Sequence, residues 1–304
     1  MPNTRGREGF WFALAAYLTW GIAPIYFKWL ETVAATEIIA HRITWSVILL
    51  LLVLFLTGKL FQLRQLLSKW PWLVITALLI SANWLIFVWA ITHERISETS
   101  LGYYINPLVS VVLAGIFLGE RLRPLQWLAF IVAGIGVGVR LLHYGQLPWV
   151  ALCLAVSFGF YGLLRKKIDA PAVAGLAFET ILLLPFAVAY LVWLSVNDQL
   201  AFAEQSLTID ALLLAAGVVT TIPLLCFAAA VVRLNLSTIG IMQYIAPTLS
   251  LILAVVIYGE PFNPSDVLSF ACIWVALGVF TFDNYRFARV YRMARSNNVT
   301  QESA

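Results

Sequence analysis

Ser100–Pro124 reads SLGYYINPLVSVVLAGIFLGERLRP, and Gly240–Pro264 reads GIMQYIAPTLSLILAVVIYGEPFNP. Both stretches are apolar, yet each keeps a tyrosine and a proline inside it, ends in Gly-Glu and closes on Pro. At an offset of 140 residues Tyr104 meets Tyr244, Pro107 meets Pro247, Ser110 meets Ser250, Gly119-Glu120 meets Gly259-Glu260 and Pro124 meets Pro264. Matched Leu and Ala count for little between two apolar stretches. A shared Y-I-x-P…G-E…P frame is much harder to reach by chance, so the chain is read as an internal duplication.

The rest of the sequence has the same character. Hydrophobic residues make up 62% of the chain and charged ones 11%, against about 25% charged in soluble domains. Uncharged apolar runs such as Ile43–Thr57 have the character of bilayer-spanning helices, which need about 20 residues. The expectation is an all-α polytopic membrane protein whose first solvent is the lipid bilayer. A pI near 9.0 does not point to nucleic acid, because the cations sit in short loops between apolar spans. The three cysteines (Cys153, Cys226, Cys272) are scattered through apolar segments and make no ligand pattern with the histidines, so no metal or cofactor is expected.

Hydropathy places ten spans at about 9–30, 36–57, 71–92, 99–118, 124–142, 147–165, 173–195, 210–232, 237–258 and 265–284. With the N-terminus in the cytoplasm, fifteen of the nineteen Lys and Arg residues fall inside, Arg165 among them, and only Lys28, Arg95 and Arg140 fall outside. Arg42 lies within the second span. Cytoplasmic loops carry the excess of Lys and Arg, so both termini are expected in the cytoplasm and the Val196–Ile209 loop outside. An earlier offset of 138 sets Trp20 against Phe158, Gly21 against Gly159 and Lys28 against Lys166. The duplication therefore covers 1–142 and 147–284, leaving 285–304 as a basic cytoplasmic tail. Five helices per copy is an odd number, so the second copy enters the membrane from the opposite side. Inverted repeats of this kind build secondary transporters, with substrate held near the midplane between them.

These motifs together resemble a known family. The paired five-helix units, W-G-x-x-P at Trp20–Pro24, H-R at His41–Arg42 and the Gly-Glu helix ends are similar to the EamA type of the drug/metabolite transporter superfamily. ALAAYLTWGIAPIYFK, LGERLRPLQWLA and SFGFYGLLRKK bring the resemblance to the RarD subfamily, over about Gly9 to Asp283. It implies a permease of the bacterial inner membrane, in a subfamily labelled by chloramphenicol sensitivity or resistance.

Polar residues inside a membrane point to a cavity or a partner, since a charge at a helix centre costs about 2.5–3.5 kcal/mol on insertion scales. Arg42 stands about 9 Å into the second helix, with Glu37, His41 and Trp45 on one face beside it. Either it forms an anion clamp or its long stem snorkels to the headgroups. Glu179 is the repeat partner of His41, open to proton coupling, to pairing with a basic residue, or to a plain helix-to-helix hydrogen bond. Tyr103, Asn106, Pro107 and Ser110 form one helical stripe, which Gln243, Pro247 and Ser250 repeat. A proline frees a carbonyl that must find another partner, so both kinks offer polar groups to a solute. Tyr104 and Tyr244 are expected as aromatic walls, and Trp20, Asn83 and Trp84 as further lining. Gly119-Glu120 and Gly259-Glu260 read as turn elements, and Gly134, Gly136 and Gly138 as a small-residue face for packing or homodimerisation.

The expected function is movement of a small organic molecule by alternating access. A non-transporting membrane interaction or sensor protein is the alternative. No nucleotide loop, HExxH or GxSxG sequence suggests an enzyme.

Overall fold

The computed structural model describes residues 4–92, 96–144, 148–257 and 264–302. Among them, nine helices are long and apolar enough to cross a membrane, and Pro124–Val139 is a shorter apolar tenth. Gly259-Glu260 and Arg95 lie outside the described residues.

In the first half the long helices are α1 (Thr4–Lys28), α2 (Ala35–Leu56), α4 (Trp70–Thr92), α5 (Ile96–Leu118) and α6 (Pro124–Tyr144). A short α3 (Phe61–Leu66) joins α2 to α4. The second half runs through α7 (Trp149–Ile168), α8 (Ala172–Val196), α9 (Leu207–Val231), α10 (Leu236–Met242), α11 (Ile245–Ile252) and α12 (Pro264–Glu302). The helices are apolar on nearly every side because both core and lipid accept apolar atoms; Ile116, Phe186 and Val192 face outward at 69%, 75% and 56% exposure.

Packing couples the halves in matched pairs. The first helix of one half lies on the third of the other, twice over: α1 on α9, and α7 on α4. The fourth helix of each half packs on the first of the other: α5 on α7, and α10 and α11 on α1. Helices in equivalent places meet each other directly, as α2 with α8, α5 with α10, and α6 with α12. One pseudo-two-fold relation accounts for all seven pairings.

The ninth span is broken, and proline is the cause. Pro247 has no N–H to give to the carbonyl of Gln243, which takes a tighter bond from Ala246 N instead (3.2 Å). α10 and α11 are separated at Gln243–Tyr244, and a five-residue π-turn, Leu253–Ile257, follows. In α5, Pro107 leaves the helix continuous. The two elements cross at Gly240, where an added Cβ would stand 2.9 Å from Pro107 O.

Local caps hold the ends. Glu120 accepts from Leu236 N (2.7 Å), Ser237 N (3.0 Å) and Ser237 Oγ (2.5 Å), so its carboxylate closes the start of α10. The Gly119-Glu120 pair is thus a structural turn, with Gly119 at φ +63°. Lys166 Nζ donates to the carbonyls of Val231, at the end of α9, and Leu234 just past it, and Arg123, just before α6, pairs with Asp283 of α12 at 2.5 Å. Gly136 packs against Ser269 O and Cys272 of α12, while Gly134 and Gly138 face open space.

Candidate functional site

Arg42 is the centre of the arrangement. Its guanidinium lies over the Trp84 ring of α4, 3.3 Å from the centroid. Tyr26 of α1 and Tyr103 of α5 are within electrostatic range of it. The side chain therefore extends between α1, α4 and α5, into the bundle. This departs from snorkelling, which would carry it outward along the surface. α1 makes its close backbone approaches to α9 and α11 rather than to α4 or α5. Tyr103 is half exposed.

Trp84 also touches the apolar clusters that contain Trp20. Trp20 leans on Tyr17, Phe158 and Phe227, with ring centroids 5.7, 5.9 and 5.8 Å away. An arginine head and an aromatic wall thus adjoin through one tryptophan. Asn106 and Gln243 flank the α5–α10 crossing, and each has a buried side-chain carbonyl oxygen with no hydrogen-bond partner. Unsatisfied acceptors of this kind are uncommon in native interiors and mark places for explanation.

Several residues expected to line a cavity are committed elsewhere. Asn83 donates to Leu154 O and Ser157 Oγ, both at 2.9 Å, and so bridges α4 to α7. Tyr244 is fully buried, and its hydroxyl donates to Tyr104 O at 3.2 Å. Tyr104 is itself buried against Phe270, with ring centroids 5.2 Å apart, so the two tyrosines are core rather than walls. His41 is 4% exposed. Trp45 Nε1 donates to His41 Nδ1 at 3.3 Å, which puts the imidazole proton on Nε2, and Nε2 faces Glu37 Oε1 at 3.8 Å. Glu37 in turn accepts from Ala201 N (2.8 Å) and Phe202 N (3.2 Å), tying α2 to the loop before α9.

Glu179 is paired. It accepts from Thr76 Oγ1 (2.6 Å), Tyr161 OH (3.1 Å) and Arg165 Nη1 (3.4 Å), all buried. Arg165, counted from sequence among the cytoplasmic cations, is 1% exposed and packs against Gly175. The network joins α4, α7 and α8. Of the three readings open for Glu179, the geometry shows a basic partner and helix-to-helix hydrogen bonds together. Sequence reasoning missed Arg165 because it opens the run Arg165-Lys166-Lys167, which reads as a loop. The available signal was Tyr161 and Arg165 at i and i+4, on one face of α7.

A cavity of about 560 Å³ opens at the far end of α2 from Arg42, lined in part by Arg5, Lys59, Asp169, Pro171 and Arg233. The Glu179 network stands two turns further along α8 from that mouth. Among the described residues no group of three or more His, Cys, Asp or Glu is placed to hold a metal ion.

Ten apolar helices in two equivalent halves, with polar side chains gathered where the halves cross, define a polytopic helical membrane protein of solute-carrier build. The chain belongs to the EamA-like transporter family, whose profile matches residues 7–142 and again 148–282. Within it the chain falls in the RarD subfamily. "Protein RarD" of Escherichia coli is 48% identical, covering 93% of this chain and 97% of that one. An "Uncharacterized transporter" of Vibrio cholerae is 48% identical, covering 95% and 97%. The "Chloramphenicol-sensitive protein RarD" of Pseudomonas aeruginosa is 32% identical, covering 93% and 96%. A solved crystal structure matches with a TM-score of 0.72 at 20% identity, over 93% of this chain and 99% of that one, a likeness of fold alone. The protein is a multi-pass membrane transporter.

Proposed function

We propose that this transporter carries a small organic solute across the bacterial inner membrane as a secondary carrier working by alternating access. The observation that carries the reading is the matched pairing of helices between halves. A duplicated carrier with equivalent interfaces has two arrangements of near-equal energy, each opening one side. The space beside Arg42, Trp84 and Tyr103 would face one mouth, and the Arg165–Glu179 network closes the path toward the cavity at Arg5 and Lys59. Exchange of roles between the halves requires that network to loosen and a barrier to form near Arg42.

The relative named for chloramphenicol sensitivity makes that drug one sensible test solute, not an assigned substrate. Counterflow in sealed vesicles holding only this purified protein is the decisive experiment. Labelled solute should accumulate transiently against its own gradient when vesicles are preloaded with unlabelled solute. A pooled metabolite extract and chloramphenicol, both without counterflow, would leave the sensor or interaction reading in its place.

A further inference from the structure

Arg42 and Arg165 both reach into the helix bundle, and the protein treats them differently. Arg165 has a carboxylate on it, Glu179 at 3.4 Å, with a tyrosine and a threonine completing that acid's coordination. Arg42 has no such partner. Among the described residues it makes no hydrogen bond and no ion pair, and its Nη2 is buried and unsatisfied. Among the described residues, Glu37 is engaged by Ala201 N and Phe202 N, Asp210 by Ala203 N, and Glu179 by Arg165. What Arg42 does have is a ring face, Trp84, 3.3 Å away.

A stacked ring helps hold a guanidinium, but it offers no compensating negative charge. It also occupies one face of the planar group and leaves the N–H edge free. That edge is the part that binds carboxylate or phosphate with two parallel hydrogen bonds. An uncompensated charge inside a protein is costly unless something pairs with it. Nothing among the described residues supplies that pair, which points to a group from outside the chain. Trp84 packs against the same apolar clusters as Trp20.

We propose that Arg42 is the anion subsite of this carrier, and that its substrates are organic acids: an anionic head on the Arg42 edge and an apolar or aromatic body along Trp84 and Trp20. This rests on the transporter reading given above and names its substrate class. Trp84 then acts as a positioning residue, fixing the plane of the guanidinium. Neutral analogues of equal shape lack the group that Arg42 requires, so they are discriminated against at binding.

The test uses matched acids and amides on the purified full chain in detergent, at constant ionic strength. The pairs are phenylacetate with phenylacetamide, and indole-3-acetate with indole-3-acetamide. Binding is read as thermal stabilisation. The parent protein should respond to the acids and not to the amides. Arg42→Gln should weaken the acid response about tenfold or more. Arg42→Lys keeps the charge without the planar edge, and should keep the acid preference at lower affinity. If Arg42→Gln does not fold, the parent's acid-over-amide discrimination and the Arg42→Lys response still decide. Equal responses to acid and amide, an unchanged response in a folded Arg42→Gln, or no response of the parent to any acid would each overturn the assignment. Counterflow of the bound acid in proteoliposomes separates the two readings. Acid binding without flux would sink transport and leave the anion subsite standing. Flux of the amides, undiminished in Arg42→Gln, would do the reverse.

Discussion

At the scale of single residues, the contrast between Arg42 and Arg165 governs what substitution should do. Arg165 and Glu179 are both buried at 1% exposure. Removing one partner of a buried pair strands the other, at a cost of about 3–5 kcal/mol. Glu179→Gln should therefore lower the unfolding temperature of the detergent-solubilised protein sharply, although it adds no charge to the membrane. Arg165→Met with Glu179→Leu removes both charges and should recover most of that loss, because a well-packed apolar pair often matches a buried ion pair. A double variant no more stable than Glu179→Gln alone would show that the network holds the fold through Tyr161 and Thr76 rather than through charge balance. Asn83 gives a smaller version of the same test. Asn83→Leu breaks two interhelical hydrogen bonds and leaves Leu154 O without that donor. It should destabilise by about 0.6 kcal/mol and at most about 1.7, the range for polar contacts within membranes; a larger loss would assign Asn83 a second role.

At the scale of elements, glycines set how closely the helices approach. A Cβ on Gly217 of α9 would sit 2.7 Å from the backbone carbon of Trp45 and 2.9 Å from Ser46 N in α2. Backbone cannot move aside as a side chain can. Gly217→Ala should destabilise by about 1–3 kcal/mol through overpacking, despite the better helix propensity of alanine. Gly134→Ala meets open space and should be neutral or mildly stabilising. Thermal unfolding of the two variants side by side checks both directions at once. The elements themselves were legible in the sequence, because spans of this length and hydropathy have few alternatives in a bilayer. The break in the ninth span was legible through Pro247, whose missing donor forces the carbonyl of Gln243 to a different partner. Side-chain destinations were harder to read. Tyr104 and Tyr244 carry the repeat's most recognisable signature, yet they are core to each other. Periodicity shows which face a residue occupies and is silent on whether that face meets a cavity or a neighbouring helix. Arg165 was hidden by its neighbours Lys166 and Lys167, since a run of cations reads as solvated when only sequence is available.

At the scale of the whole molecule, duplication and orientation are one argument. Helices of one half meet those of the other through pairs that a two-fold axis exchanges, α1 on α9 answering α7 on α4. Five spans in each half make that axis lie in the membrane plane, so the halves are inverted and their like ends face opposite compartments. The cations then choose the hand. By the excess of cations on cytoplasmic loops, Lys59, Arg64 and Lys69 between α2 and α4, together with Arg121 and Arg123 before α6, belong inside, against Lys28 at the end of α1. The prediction is that both termini are cytoplasmic and that the loop after α8 is external. Asn197 is exposed at the end of α8, and its side chain does no more than cap Trp193 O. Asn197→Cys, in a chain whose Cys153, Cys226 and Cys272 are replaced by alanine, should react with a membrane-impermeant maleimide in intact cells. Gln62→Cys, in the short α3 that joins α2 to α4, should react only once the membrane is permeabilised. Reversal of both patterns would turn the whole protein over while keeping the inverted relation between its halves. Labelling of both sites from the same side would instead break the inversion, because one loop follows the second helix of each half.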